Sequence, residues 1–271
     1  MTSTDGILPD PNVSGAWVVR VGGADQSWVD PDDPTRLEFD YVQRIAGHLD
    51  AHAPEGERLR VVHVGGAGMT LARYVAHTRP SSAQIVLEPD EALTAAVREK
   101  APLAKNSGIK VRPQDGRTGL AAMRDDYADV IIVDAFVGLV VPAGLVTVEA
   151  FSEYRRVLGA GGLLVMNVTD KLPFEWTRRV QAGMRIYFPH RSLAAEPGTL
   201  KGRRKGNLVL AASTVEMPLD EIAREAARAV FSYRVIGGSQ LESLIGGAQP
   251  MHDGSAVDSP HGPGETAYWF G

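Results

Sequence analysis

The segment Val61–Gly68 (VVHVGGAG) constrains the fold more than any other part of the chain. Apolar β-type residues lead into small residues and then into a helical pattern, which predicts a strand, a tight turn and a helix. Glycines at the turn let backbone N–H groups approach a ligand, and the helix N-terminus favours an anionic group. A tight turn that binds nothing is the alternative interpretation. Leu71 occupies the place of the third glycine of the dinucleotide fingerprint, which argues against a nicotinamide cofactor.

From Leu59 onward, strand and helix patterns alternate along the chain. The predicted strands are Leu59–Val64, Gln84–Glu88, Ile109–Arg112, Val130–Asp134 and Gly162–Asn167. Helical patterns lie between and after them, near residues 68–78, 90–100, 117–124, 147–158 and 173–185. Short β-branched runs that alternate with helices indicate a parallel sheet covered on both faces. We therefore predict an α/β fold of the Rossmann-like, doubly wound type with a mainly parallel sheet.

Four regions are predicted along the chain. They are a flexible tail (1–15), an N-terminal β-hairpin and helix (16–57), a Rossmann-like nucleoside-binding domain (58–215), and C-terminal helices with an irregular tail (216–271). The N-terminal hairpin is expected from the runs Ala16–Val21 and Gln26–Val29, with a helix that starts near Asp32. A further hairpin, Tyr187–Leu193 with Asn207–Ala212, is expected at one end of the large sheet.

Acidic residues follow three successive predicted strands. Glu88 ends the second strand, 23 residues after Gly65, where a carboxylate can accept hydrogen bonds from both ribose hydroxyls. Asp115 and Gly116 follow the third strand and can contact an adenine ring, although Asp-Gly is also a common turn pair. Asp134 ends the fourth strand, where it can bind an amine or act as a base. Because ligands of open parallel sheets bind at the carboxyl ends of strands, this set predicts a nucleoside site.

The composition limits the classes of molecule that the protein is expected to bind. The net charge of −5 argues against a protein that neutralises nucleic-acid phosphates, and it gives no reason to expect a membrane surface as partner. The chain has no Cys, which excludes disulfides and thiolate metal sites, and its seven His residues show no metal-ligand spacing. The polar N-terminus carries no secretory signal pattern. We expect a cytoplasmic protein that uses no metal and binds neither nucleic acid nor membrane.

These motifs resemble the spermidine synthase-like branch of the class I methyltransferase fold, the polyamine aminopropyltransferases. The family has a Gly-Gly-Gly-Asp turn, an acidic ribose binder, an Asp-Gly or Asp-Ala pair and an Asp-x-x-Asp segment. The corresponding residues here are Gly65-Gly66-Ala67-Gly68, Glu88, Asp115-Gly116 and Asp134–Val137. The resemblance covers roughly residues 16–213 and includes the N-terminal hairpin that carries Gln26.

The resemblance implies a co-substrate, a set of binding residues and a base. The co-substrate would be decarboxylated S-adenosylmethionine or S-adenosylmethionine, without a metal. Its binding residues would be Gly65, Gly66, Gly68, Glu88, Asp115, Gly116 and Gln26. Asp134 would accept a proton from a small-molecule amine substrate. Family members often form dimers or tetramers through the N-terminal hairpin, so the resemblance also implies a homodimer.

Two departures from the family pattern leave alternatives open. Gly68 and Val137 stand where the family has aspartates that hold the amino groups of the donor and of the polyamine. Removing an ammonium group from water without a carboxylate partner is unfavourable. The basic loop Lys201–Lys205 would repel a polyamine further if it lay near the cleft. Methyl transfer from S-adenosylmethionine and a non-catalytic protein that kept the fold are therefore the alternatives to aminopropyl transfer.

Overall fold

Two β-sheets organise the structure, a computed structural model that describes residues 6–260. The strands are β1 (Gly6–Pro9), β2 (Trp17–Val21), β3 (Ala24–Val29), β4 (Arg60–Val64), β5 (Ala83–Leu87), β6 (Ile109–Arg112), β7 (Ala128–Val133), β8 (Leu158–Asp170), β9 (His190–Ala195), β10 (Gly206–Ser213) and β11 (Arg234–Gly237). The helices are α1 (Asp40–His52), α2 (Thr70–Thr78), α3 (Glu91–Lys100), α4 (Gly116–Ala121), α5 (Val148–Val157), α6 (Glu175–Tyr187), α7 (Pro197–Leu200), α8 (Leu219–Arg228) and α9 (Gly238–Ile245). A 3₁₀ turn spans Ala143–Leu145.

The large sheet has eight strands in the order β11-β9-β10-β8-β7-β4-β5-β6. Strands β4 to β8 pair in parallel, whereas β9, β10 and β11 pair antiparallel at one end. The chain places β5 and β6 on one side of β4 and then returns to place β7 on the other side. Such a reversal of strand order opens a crevice at the carboxyl ends of β4 and β7. The predicted fold, Rossmann-like with a mainly parallel sheet, is confirmed.

Side chains of the central strands alternate between two hydrophobic clusters on opposite faces of the large sheet. Val62 and Ile131 belong to the cluster covered by α4, α5, α6 and α9. Val61 and Ile132 belong to the cluster covered by α1, α2 and α8. Because both faces are covered, β4 and β7 are almost continuously apolar, as the sequence of a buried parallel strand requires.

The N-terminal region differs from the prediction in two places. Gly6–Pro9, within the predicted flexible tail, pairs antiparallel with β2 and completes a three-stranded sheet with β3. A four-residue strand carries too little alternation to be recognised without its partner. Residues 1–5 of that predicted tail lie outside the described residues. Helix α1 begins at Asp40 rather than near Asp32, because the carboxylates of Asp30 and Asp33 accept backbone N–H groups in turns that end the preceding strand.

The C-terminal region joins the large sheet. Arg234–Gly237, which the sequence analysis did not identify as a strand, pairs antiparallel with β9 at the sheet edge. The helices predicted on either side of it are present as α8 and α9. The chain from Gly246 to residue 260 is irregular, as predicted, and the rest of the predicted tail lies outside the described residues. No helix within residues 6–260 is long and apolar enough to cross a membrane.

Candidate functional site

A cavity of about 570 Å³ opens at the carboxyl ends of β4, β5 and β7, and we refer to it as the first cavity. Its volume lies within the range of roughly 300–1,000 Å³ that is common for small-molecule sites. Seven of the eight residues predicted from the sequence line it: Gln26, Gly65, Gly66, Glu88, Asp115, Gly116 and Asp134. Tertiary structure therefore brings together residues that span more than a hundred positions of the chain.

Gly65 lets the ends of β4 and β7 lie against each other. Its φ of +86° lies in the left-handed region, and a Cβ added there would be 2.3 Å from the backbone oxygen of Asp134. The N–H of Gly65 donates to the oxygen of Leu87 (3.0 Å), and the N–H of Asp134 donates to the oxygen of Val64 (2.9 Å). The predicted glycine turn is thus required by backbone packing as well as by access to a ligand.

Glu88 is held against the glycine turn by backbone donors. Its Oε2 accepts hydrogen bonds from the N–H groups of Gly66 (3.1 Å) and Ala67 (3.2 Å), and its Oε1 accepts from that of Asp90 (3.0 Å). A carboxylate can accept about four hydrogen bonds, so acceptor capacity remains for a ligand hydroxyl at the cavity. These three hydrogen bonds fix the orientation of the Glu88 carboxylate at the cavity, and its role as a ribose binder stays a prediction.

Asp115 and Gly116 form the start of α4 on the cavity wall. The Oδ1 of Asp115 accepts a hydrogen bond from the N–H of Thr118 (3.0 Å), and the hydrogen bonds from Thr118 lower the pKa of this carboxyl. A Cβ added to Gly116 would lie 2.3 Å from Cγ1 of Val64. The pair therefore caps a helix and also presents an ionised carboxylate to the cavity.

Asp134 lies half-buried at the end of β7, between two polar side chains. The Nδ2 of Asn167 donates to its Oδ1 (2.9 Å), and the hydroxyl of Tyr41 also donates to the carboxylate. Burial raises the pKa of Asp134 to about 6, against the opposing effect of these hydrogen bonds. A carboxylate with a pKa near neutrality is suited to accept a proton in a reaction.

Tyr41 and Asn167 were not among the predicted site residues. Asn167 lies on β8, where it pairs with Val209 of the antiparallel strand β10. Its neighbour Met166 is in register with Val133 of the parallel strand β7. Asn167 therefore stands at the same edge of the sheet as Asp134, and the rule that pointed to Asp134 could have identified it. Tyr41 reaches the site from the first turn of α1. The sequence around it carries no local signal that a tyrosine there contacts Asp134.

Gly68 faces the N-terminal sheet rather than the first cavity. Its N–H donates to the Oγ of Ser27 (3.1 Å), and a Cβ added there would lie 2.6 Å from Cγ2 of Val29. It is absent from the lining of the cavity within the described residues, and its predicted contact with the ligand stays a prediction. The side chain of Gln26, two residues from the start of β3, crosses to donate to the oxygen of Gly138 (3.2 Å).

A second cavity of about 540 Å³ adjoins the first. The residues that line both are Gln26, Glu38, Phe39, Tyr41, Phe136 and Gly138. Asp134 lines the first cavity, and its partner Asn167 lines the second, so their hydrogen bond marks the boundary. Within residues 6–260, no group of three or more His, Asp or Glu side chains is arranged to hold a metal ion.

Comparison with solved structures reveals a similar protein over nearly the whole chain. A probable spermidine synthase from Corynebacterium glutamicum is 31% identical, with a TM-score of 0.86 and coverage of 95% of both chains. A spermidine synthase in complex with the transition state analogue AdoDATO has a TM-score of 0.57, covering 89% of this chain and 79% of that one. Its identity is 18%, so this likeness shows the fold alone.

Curated relatives match a shorter part of the chain. A polyamine aminopropyltransferase from Vibrio vulnificus is 30% identical over 148 residues, which is 53% of this chain and 48% of the relative. The chain spans about half the length of the curated relatives that it matches. No family model matches the chain.

The contact of Gly68 with β3 predicts the effect of restoring an acid there. Gly68→Asp should lower the free energy of unfolding by about 3 kcal/mol or more, because the side chain collides with Ser27 and Val29 and buries a charge. Urea denaturation measures this. Gly47→Asp is the control, since nothing lies within 4 Å of a Cβ added at Gly47. Equal stability of the two variants would show that the turn has room for an acid.

Proposed function

The chain belongs to the spermidine synthase-like family, and from this membership we propose that it transfers an aminopropyl group from decarboxylated S-adenosylmethionine to an amine. The observation that carries the proposal is the position of Asp134. This carboxylate lies where a cavity suited to a nucleoside meets a second cavity that can hold another substrate. A proton acceptor at the junction of two binding sites is what group transfer to an amine needs.

The first cavity fits the nucleoside part of the donor. Glu88 would accept hydrogen bonds from the ribose hydroxyls, because the glycine turn already fixes its carboxylate at the cavity edge. Asp115 would accept from the adenine amino group, and Gly116 leaves the neighbouring wall without a side chain. The volume of about 570 Å³ is sufficient for a ligand of this size.

Asp134 would act as the general base. When bound, the donor supplies a carbon next to a positively charged sulfur. As the amine nitrogen bonds to that carbon, the carbon–sulfur bond breaks with its electron pair left on sulfur, and the proton of the amine passes to Asp134. Tyr41 and Asn167 hold the carboxylate in one orientation through their hydrogen bonds. Positioning and deprotonation would therefore supply most of the catalysis.

The named relatives support aminopropyl transfer over methyl transfer. The curated relative at 30% identity is a polyamine aminopropyltransferase, and the structure at 31% identity is a probable spermidine synthase. Dimer formation through the N-terminal hairpin stays a prediction of the family resemblance. The cytoplasmic location and the absence of nucleic-acid and membrane partners stay predictions from composition.

Product formation tests the proposal directly. The protein incubated with decarboxylated S-adenosylmethionine and a panel of amines should release 5′-methylthioadenosine together with an aminopropylated amine, both measured by mass spectrometry. The same panel with S-adenosylmethionine should give no methylated amine. Methylated product from S-adenosylmethionine would contradict the proposal in favour of a methyltransferase, and no product from either donor would favour a non-catalytic protein.

The raised pKa of Asp134 predicts the pH dependence of turnover. Only the ionised carboxylate accepts a proton, so kcat should rise about tenfold per pH unit below about 6 and level off above it. Tyr41→Phe removes a hydrogen bond that lowers this pKa, so the midpoint should move to higher pH. Asp134→Asn should lower kcat by about 10²–10⁴-fold. An unmoved midpoint in Tyr41→Phe, or near-normal turnover in Asp134→Asn, would refute the base assignment.

If Glu88 binds the ribose hydroxyls, its substitution should abolish the discrimination between a ligand that has these hydroxyls and one that lacks them. Glu88→Gln should weaken 5′-methylthioadenosine about tenfold or more, and the preference for this ligand over its 2′,3′-dideoxy analogue should disappear. Isothermal titration calorimetry measures both affinities. Glu91→Gln, a neighbouring exposed position, is the control and should retain the preference. An equal loss of affinity for both ligands would indicate that Glu88 supports the turn without binding the ribose.

A further inference from the structure

The C-terminal segment 251–259, which we call the strap, lies against segment 141–147, which we call the wall segment. The residues of the wall segment that line the first cavity are Pro142, Gly144 and Leu145. Hydrogen bonds join the two segments although the bonded residues are as many as 118 positions apart in the chain. The strap is irregular, with largely exposed residues between the buried ends Met251 and Ser259.

The strap supplies hydrogen-bond partners for the backbone of the wall segment. The N–H of Val141 donates to the Oγ of Ser259 (2.9 Å), and the N–H of Ser259 donates to the oxygen of Val141 (3.1 Å). The N–H of Ala143 donates to Oδ1 of Asp258 (2.7 Å). Apart from its 3₁₀ turn, the wall segment belongs to no helix or strand. Because backbone groups without such a ladder need other partners, the strap determines where the wall segment lies.

Asp253 of the strap joins the wall segment to the start of α4. Its Oδ2 accepts a hydrogen bond from Nη2 of Arg117 (2.9 Å), and its Oδ1 accepts one from Oγ1 of Thr147 (2.8 Å). Nη1 of Arg117 donates to the oxygen of Gly144 (3.3 Å) and to Oγ1 of Thr147 (3.2 Å). Arg117 lines the first cavity and directly follows Gly116, so this cluster connects the strap to the predicted adenine contact.

The position of the wall segment sets the shape of the first cavity beside Gly116. A Cβ added to Gly116 would lie 3.1 Å from Cδ2 of Leu145, so this side chain already packs against the start of α4. In such close packing, a displaced wall segment would change the space beside Gly116. Among residues 6–260, the lining of the cavity includes none of the strap. The strap can therefore influence a ligand there only through Arg117 and the wall segment.

From these contacts we propose that the strap is a positioning element of the first cavity. It holds the wall segment and Arg117 where a bound nucleoside meets them, so the affinity for the nucleoside depends on the strap. The identity of the ligand as a nucleoside rests on the proposed function. Because coupling between two regions is reciprocal, a nucleoside in the cavity also stabilises the strap.

Hydrogen exchange of the full chain without ligand, measured by mass spectrometry, tests the hold on the wall segment. Ser259→Ala and Asp253→Ala should each speed exchange of the wall segment about fivefold or more, because each removes hydrogen-bond partners. Ser255→Ala is the matched control for the first, since that hydroxyl donates within the strap. Asp125→Ala, which removes another Asp–Arg ion pair, is the control for the second. Exchange as in the wild type in both strap variants would overturn the inference.

Calorimetry with 5′-methylthioadenosine tests the effect on the ligand. Ser259→Ala and Asp253→Ala should each weaken this ligand about fivefold or more, and both controls should bind it as the wild type does. Urea denaturation checks that each variant is folded. In the wild type, which needs no substitution, the bound ligand should slow exchange of the strap. A strap that only added stability would give no such protection. Unchanged affinity in both variants, or no protection of the strap, would overturn the inference.

Failure of the proposed function would give a different pattern of results. A wild-type protein that does not bind 5′-methylthioadenosine, but whose wall segment exchanges faster in both strap variants, would refute the nucleoside site and support the hold of the strap on the wall segment. Release of 5′-methylthioadenosine from the decarboxylated donor, with exchange and affinity that do not depend on Asp253 or Ser259, would refute the inference and leave the proposed function.

Discussion

The close approach of β4 and β7 at Gly65 is the contact on which the geometry of the site depends. A Cβ at Gly65 would lie 2.3 Å from the backbone oxygen of Asp134, so a side chain there would push the two strand ends apart. Backbone hydrogen bonds from Gly65 to Leu87 and from Asp134 to Val64 join three strands at this point. Because the strand ends are held together, Glu88 and Asp134 face the same cavity although they lie 46 positions apart in the chain.

The three-stranded sheet forms part of the site rather than an appendage to it. Ser27 accepts a hydrogen bond from the N–H of Gly68, Gln26 donates to Gly138, and Thr70 donates to the oxygen of Trp28. These contacts place β3 where a side chain at position 68 would otherwise project. The N-terminal sheet therefore packs so closely against the start of α2 that it occupies the space which the family aspartate would need at position 68.

Burial and hydrogen bonding shift the pKa values of the carboxylates around the two cavities in different directions. Asp115, bonded to Thr118 at a helix start, has a lowered pKa and stays ionised. Asp134 has a pKa raised to about 6 by burial, which suits a group that gains and loses a proton. Burial, followed by the hydrogen bond with Glu196, raises the pKa of Asp40 at the second cavity. The surroundings of each carboxylate thus determine its protonation, and the roles proposed for Asp115 and Asp134 depend on that difference.

Local signals in the chain were sufficient to predict the Rossmann-like region and the residues that stand at the ends of its strands. Hydrophobic periodicity and glycine turns are patterns within a few consecutive residues. They were therefore enough to predict the five parallel strands and the strand-end residues Gly65, Glu88, Asp115 and Asp134. Tertiary packing decided the remainder. Gly6–Pro9 becomes a strand through its pairing with β2, and the second cavity arises where Asp40, Asn167 and Glu196 meet from distant segments. Contacts between such segments depend on how helices and sheet edges pack, and no short stretch of sequence encodes them.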